Sequence, residues 1–261
     1  MNIELRNKIK EWAESYNTKD FIPNDPVQFP HRFEKKQDME ISGFLTAWIS
    51  YGKRSLILKK ADELHHLMNN QPYSFILHGP DSFQEIKEKA NQKRSRNTFY
   101  RFYTYQDLLS LCVRLNQIYT QYESLEDALI NAPMGEKLHP IQRIQLLFDD
   151  IKGIPTIKGT SACKRLAMFL RWMVRQDGIV DFGIWKNLMK PSELIIPLDT
   201  HVHHVSETIG LIPHKTASWK TALEITEALK EIFPDDPCLG DFALFGYGEG
   251  SDIKDTVELS R

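Results

Sequence analysis

The stretch 140-PIQRIQLLFDDIKGIPTIKGTSACKRLAMFLRWMVR-175 sets two amphipathic segments on either side of a turn rich in proline and glycine. In the first segment Ile141, Ile144, Leu147, Phe148 and Ile151 recur at helical spacing, and in the second Leu166, Phe169, Leu170 and Met173 do the same. GIPTIKGTS between them breaks the pattern and offers Thr160 or Ser161 as a helix cap. A helix, a short hairpin and a second helix follow from this order. The second half is also basic: Lys152, Lys158, Lys164, Arg165, Arg171 and Arg175 fall here with no acidic residue among them. Lys164, Met168, Arg171 and Arg175 are spaced to share one face, so their cations are expected to point to solvent while the apolar set takes the core. Such a unit grips a phosphate backbone without reading bases.

Moving outward, the helical period continues. Ile41, Phe44, Leu45 and Trp48 follow it, as do Leu108, Leu111, Cys112, Leu115 and Ile118. Strand-like alternation is nearly absent; its best case is SELIIPL, which Pro197 interrupts. An all-α fold of about eight to ten helices is expected from this punctuation. The chain has 261 residues, 41% of them apolar, enough for a sizeable core. Its N-terminus is charged and amphipathic, with no apolar run of membrane length anywhere, so a soluble, cytoplasmic protein is expected. Cys112, Cys163 and Cys238 are scattered and suggest neither a disulfide framework nor a metal cluster. With a formal net charge of −2 there is no global attraction for nucleic acid, and any polyanion site must be local.

The run 198-LDTHVHH-204 invites a metal-site reading. A metal-dependent hydrolase that starts with two histidines on one strand needs a long barrel after it to bring the other ligands. After His204 the only further histidine is His214. A helix fits better: Asp199 at the N-cap, Val202, Val205 and Ile209 along a stripe, Gly210 as the stop. On a helix His201 and His203 point about 200° apart and cannot share an ion. No metal is expected. A second stretch, 87-KEKANQKRSRNTFYRFYTY-105, interleaves Lys87, Lys89, Lys93, Arg94, Arg96 and Arg101 with Phe99, Tyr100, Phe102, Tyr103 and Tyr105. Its rings either stack on bases or form core beneath a charged face. Trp172 and Trp185 are open to the same two readings, a base sandwich or buried packing.

At this point the chain resembles the helix-hairpin-helix DNA glycosylases, the base-excision superfamily that includes endonuclease III and the 8-oxoguanine glycosylases. The resemblance lies in Lys164 early in the second hairpin helix and in 197-PLDTHV-202 downstream. GFLTAWISYGKRSLILKKA looks like the superfamily's early helix and the DNA-facing loop after it, and DFALFGYG like its closing helix. SACKRLAMFLRWMVR, DFGIWK, IIPLDTHV and DFALFG look more specifically like one bacterial family within it. Thr160 and Ala162 stand where relatives carry glycines, the 35 positions from Lys164 to Asp199 are more than is usual, and the four-cysteine cluster motif is missing.

The resemblance implies an all-α, two-lobed helix-hairpin-helix glycosylase fold with a DNA cleft between the lobes. One domain would run over 36–189, with the hairpin at about 140–175, and the other would combine 1–35 with 190–261. It implies base excision on damaged double-stranded DNA, oxidised purines such as 8-oxoguanine in particular, by a cofactor-free monomer. Asp199 would stabilise positive charge at the sugar carbon C1′. Lys164, its neutral form favoured by its helix end and by Arg165, would displace the base, form a Schiff base and nick the strand by β-elimination. Contacts to DNA would come from Lys158, Gly159, Thr160, Ser161, Arg165, Arg171 and His201, and from Tyr51, Lys53 and Arg54 in the loop where relatives enter the duplex gap. The alternative is a non-catalytic helix-hairpin-helix DNA-binding protein, for which the altered hairpin is the argument.

Overall fold

Helix α2 (Lys36–Ile49) is buried on every side from Met39 to Ile49. The sequence allows this because, beyond the first turn, Glu40 is its only charged residue. Glu40 lies fully buried and is satisfied by Tyr119 Oη at 2.8 Å and the Leu125 amide at 3.0 Å. The structure, a computed structural model, describes residues 1–93, 97–133, 138–157 and 161–250, with side chains to 247. Among these are twelve α-helices, more than the sequence suggested. The surplus comes from short helices such as α4 (Pro72–His78), α5 (Gln84–Ala90) and α7 (Leu125–Asn131), too brief to display a period. No described helix is long and apolar enough to cross a membrane.

Two compact units divide the chain: Asp25–Ile154, and Met1–Asn24 joined with Pro155–Arg261. In the first, α2 packs on α3 (Arg54–Leu67) and α4, and α6 (Tyr105–Gln121) packs on α4 and α5. Helix α8 (Pro140–Leu147) also belongs to it. Residues 98–104 form a feature that the helical reading does not foresee. β1 (Thr98–Tyr100) pairs antiparallel with β2 (Tyr103–Thr104), and Thr104 then caps α6 reciprocally with Asp107. Phe99, Tyr100 and Tyr103 are buried, and the Tyr103 ring stacks on Trp48 at 4.1 Å. SELIIPL, the best strand candidate, forms no strand: Ser192 and Glu193 lie in a 3-10 turn (Pro191–Glu193), the Leu198 amide donates to the Ile196 carbonyl at 2.8 Å across Pro197, and the Ile196 amide donates to Thr226 Oγ1 at 3.1 Å rather than to a partner strand.

The second unit unites both ends of the described chain. α1 (Ile3–Tyr16) lies along α12 (Leu239–Gly250), which also packs on α10 (Thr200–Thr208); α9 (Lys164–Val174) and α11 (Trp219–Lys230) complete it. Gly246 permits the close approach of α1, since a Cβ there would fall 2.0 Å from the Tyr16 ring. Ile9, Ala13, Leu198, Val202, Val205, Ile225, Leu229 and Leu244 share one apolar core.

The unit borders differ from the expected ones after residues 35 and 189. The hairpin helices part company, with α8 in one unit and α9 in the other. Ion pairs explain the side that α9 takes. Arg171 and Arg175, expected on a solvent face, are 4% and 1% exposed and bind carboxylates at positions 177, 181, 236 and 241.

Candidate functional site

Asp199 caps α10, its Oδ1 accepting from the amides of His201 at 3.0 Å and Val202 at 2.9 Å. These bonds fix the carboxylate and leave the other oxygen, Oδ2, 3.3 Å from Lys164 Nζ. Lys164 is the first residue of α9. The N-terminal ends of two helices therefore meet at one lysine–aspartate pair, and the two side chains are 36% and 30% exposed. Both side chains are therefore partly open to solvent.

The local chain explains how Lys164 arrives there. Cys163 is the N-cap of α9, in the left-handed region at φ 53° and buried, and makes no side-chain cap bond. Instead Ser161 Oγ accepts from the Cys163 amide at 3.1 Å. Ser161 thus supports the turn before the helix rather than capping α9 itself. Lys158, Gly159 and Thr160, the central phosphate contacts of the sequence reading, lie outside the described residues.

The three imidazoles of LDTHVHH diverge. His201 Nε2 lies 3.3 Å from the Phe245 carbonyl, so it joins α10 to α12; His203 lies 3.7 Å from Glu207; His204 is exposed. Among the described residues no group of three or more His, Cys, Asp or Glu side chains is placed to hold a metal ion.

Behind the pair the basic face of α9 is spent on internal partners. Arg171 Nε lies 3.3 Å from Asp181, and its Nη1 binds Asp241. Arg175 reaches Asp181 at 2.9 Å, Asp236 at 2.8 Å and Asn17 at 3.3 Å, and also binds Asp177. Arg171 is consequently no DNA contact; burying a guanidinium demands carboxylates, and these consume it. Arg165 is half-buried at the start of the helix. Asp241, in the first turn of α12, is 7% exposed. Burial drives its carboxyl up to about 6, with Arg171 and Lys164 pulling down and the nearby charge of Asp199 pushing up. Asp241 is the buried partner of Arg171 that sequence reasoning passed over. Its signal was an acid in an otherwise apolar helix, DFALFG, facing a basic helix with no acids of its own.

The other unit carries the second group of candidates. Tyr51 is half-buried, not a free wedge. Its hydroxyl donates to the Tyr100 carbonyl at 3.3 Å and accepts from the Phe102 amide at 3.4 Å, while Tyr100 Oη donates back to the Tyr51 carbonyl at 2.9 Å. Burial raises the Tyr51 hydroxyl above its usual range. Lys53 is exposed just before α3, and Arg54, its first residue, is half-buried. The ring that stands in water is Phe102, 73% exposed at the tip of the hairpin. Its backbone is nonetheless fixed, because Lys152 Nζ donates to the Phe102 carbonyl at 2.7 Å. Arg101, at φ 51°, has its guanidinium 5.3 Å from the Tyr51 ring and 5.8 Å from the Phe102 ring. Gly52 leaves room for it, since a Cβ there would sit 2.5 Å from Arg101 Nη1. Lys152 itself pairs with Asp107 at 3.0 Å. Of the other cations in this stretch, Lys89 binds Glu85 at 2.6 Å, and Arg94 and Arg96 lie outside the described residues. Trp172 and Trp185 are fully buried, Trp185 edge-on to Phe169 at 5.2 Å, and take the packing role.

Compared with known families, residues 25–249 match one described as "Protein of unknown function (DUF2400)". No curated protein and no solved structure matches the chain.

Proposed function

We propose that this chain, which belongs to the DUF2400 family, is a DNA base-excision glycosylase with abasic-site lyase activity on damaged duplex DNA, oxidised purines such as 8-oxoguanine being its substrate class. The observation that carries the proposal is the accessible pair of Lys164 Nζ and Asp199 Oδ2, 3.3 Å apart at two helix ends. A finer fold belongs to the same proposal: a helix-hairpin-helix glycosylase with DNA held between two lobes.

Each member of the pair has a distinct task. As the N-glycosidic bond breaks, positive charge grows on C1′, and a carboxylate held rigidly beside that carbon stabilises it more than mobile water can. Asp199 is held by two backbone amides for that purpose. The Lys164 amine, once it has given up a proton, attacks C1′ and displaces the base; the C1′–O4′ bond of the resulting aminal then breaks, O4′ taking a proton to become a hydroxyl, which gives the Schiff base, and loss of a C2′ proton expels the 3′-phosphate by β-elimination and cuts the strand. The target base must leave the stack to reach such a site. An exposed Phe102 with Arg101 beside it supports stacking on an unpaired base.

The test is covalent trapping. Incubated with 8-oxoguanine or abasic-site duplex and sodium borohydride, the protein should form an adduct that Lys164→Ala abolishes. Asp199→Asn should keep the helix cap and duplex affinity but lose base release by about a thousandfold. Binding to duplex with neither adduct nor strand cleavage would favour the non-catalytic reading, in which the Lys164–Asp199 ion pair merely joins two helices.

A further inference from the structure

Between α3 and α5 the first unit carries a groove of about 440 Å³, within the range of small-molecule sites. Its lining takes Lys60 and Glu63 from α3, Glu85 and Lys89 from α5, Phe99 from β1 and Tyr105 from the start of α6. Lysines on surface helices usually stretch their ammonium groups outward into water. These two turn inward. Lys60 Nζ stands 5.2 Å from the centre of the Phe99 ring and Lys89 Nζ 5.2 Å from that of Tyr105, while the two rings meet near edge-on at 5.5 Å. On each wall the lysine is more covered than its carboxylate: Lys60 is 20% exposed against 48% for Glu63, and Lys89 35% against 58% for Glu85.

Each wall therefore sets a donor beside an acceptor. Lys60 Nζ lies 2.5 Å from Glu63 Oε2, and Lys89 Nζ 2.6 Å from Glu85 Oε1. An ammonium has three N–H groups and a carboxylate two oxygens, so the bond they share leaves both able to bind further. Charge is matched along with hydrogen bonding. Each ammonium has its carboxylate, and Asp62, on the same border, has Arg32 at 2.9 Å and His66 at 3.5 Å. Among the described lining residues no surplus cation is left to recruit a phosphate. What the groove offers is the half-buried ring of Tyr105 together with two donor–acceptor pairs.

We propose that this groove is a nucleobase-binding site, taking a free base or nucleoside as an uncharged ligand. A nucleobase has a flat face to lie against Tyr105 and an edge on which an acceptor stands beside a donor, adenine N7 beside N6–H₂ being one such pair. The base acceptor takes a hydrogen bond from the lysine and the base amine gives one to the glutamate. An aromatic amino acid has a ring of similar size, but it must shed water from two full charges to reach ion pairs that are already matched. The groove belongs to the first unit and uses neither Lys164 nor Asp199, so the proposal does not depend on the glycosylase reading.

The test is isothermal titration calorimetry on the full chain, with adenosine, tryptophan and ribose 5-phosphate as separate probes. Adenosine should bind, and the other two should give no heat at the same concentration. Lys89→Met and Glu85→Gln, with folding checked by an unchanged thermal midpoint, should each weaken adenosine about tenfold or more. Tyr105→Leu should also weaken it about tenfold or more, through lost stacking. Lys164→Ala should leave it unchanged. Independently of any variant, the base protons of bound adenosine should show NMR cross-relaxation with the Tyr105 ring. No binding of adenosine at millimolar concentration overturns the proposal, as does bound adenosine without that cross-relaxation, or binding that both Lys89→Met and Glu85→Gln leave intact. Tryptophan binding in place of adenosine would make the groove an amino-acid site and overturn its reading as a nucleobase site. Adenosine binding with all the expected losses, in a protein that traps no DNA, would uphold this site while refuting the glycosylase reading.

Discussion

The basic face of α9 and the hairpin at 98–104 both read as cationic strips, yet they are opposites in the structure. Along α9 Arg171 and Arg175 are buried and consumed by four aspartates, while Lys164 at the helix start keeps a third of its side chain in water. At the hairpin the aromatic rings go inward, and Phe102 and Arg101 at the tip stay exposed. Local charge therefore does not announce a polyanion site. What decides is whether carboxylates distant in sequence reach the cations, and for Arg171 the partner Asp241 lies 70 positions away.

The contrast can be broken most sharply at Arg175. Arg175→Met should cost about 3–5 kcal/mol in denaturant unfolding, because Asp177, Asp181 and Asp236 would lose a buried counter-charge. A loss below about 1 kcal/mol would mean that the arginine cluster is as dispensable as a surface patch.

Protonation separates the two units next, and with opposite signs. His65 is fully buried in Asp25–Ile154, with Nδ1 2.7 Å from the Ala61 carbonyl and Nε2 2.6 Å from Ser42 Oγ. Burial lowers it to about 4. The unfolded chain binds that proton more tightly between pH 6.5 and 4, so stability falls by about 3 kcal/mol as pH falls through this window. Asp241 runs the other way. Its folded form binds the proton more tightly, so its contribution becomes more favourable as pH falls from above 6 towards 4. Amide exchange measured at pH 7 and pH 4.5 should show earlier loss of protection in α2 and α3 than in α9 and α12. Equal loss in both would remove His65 as the acid-sensitive group.

At the hairpin tip, Phe102→Ala should leave thermal unfolding nearly unchanged. It should weaken binding to duplex with a missing base by about 1–3 kcal/mol relative to intact duplex, as read by fluorescence anisotropy. Lys53→Ala, at an exposed site, should change stability by less than about 0.5 kcal/mol and lower only the salt dependence of binding. If both variants bind every duplex like the parent, this tip is no nucleic-acid surface.

Much of the fold was legible because its rules are local. Asp199 as an N-cap, the stripe of Val202, Val205 and Ile209, and the stop at Gly210 with φ 72° follow from spacing and residue type alone. Lys164 and Asp199 came from resemblance, and their pairing was not deducible from spacing. Arg171 was misplaced on solvent because helical periodicity marks a face without saying what covers it. Asp241 was missed for the same reason in reverse, since a lone acid on an apolar helix carries no sign of a distant arginine. The hairpin escaped because strands of three and two residues are too short for alternation to show, and Thr104 and Asp107 betray only the helix that follows.

The most direct measurement is mass spectrometry of the borohydride-trapped complex on abasic-site duplex. The expected result is one covalent adduct whose proteolytic fragment maps to Lys164, absent in Lys164→Ala. An adduct at any other lysine, or an undiminished adduct in Lys164→Ala, would contradict the central claim that the Lys164–Asp199 pair is the reactive site.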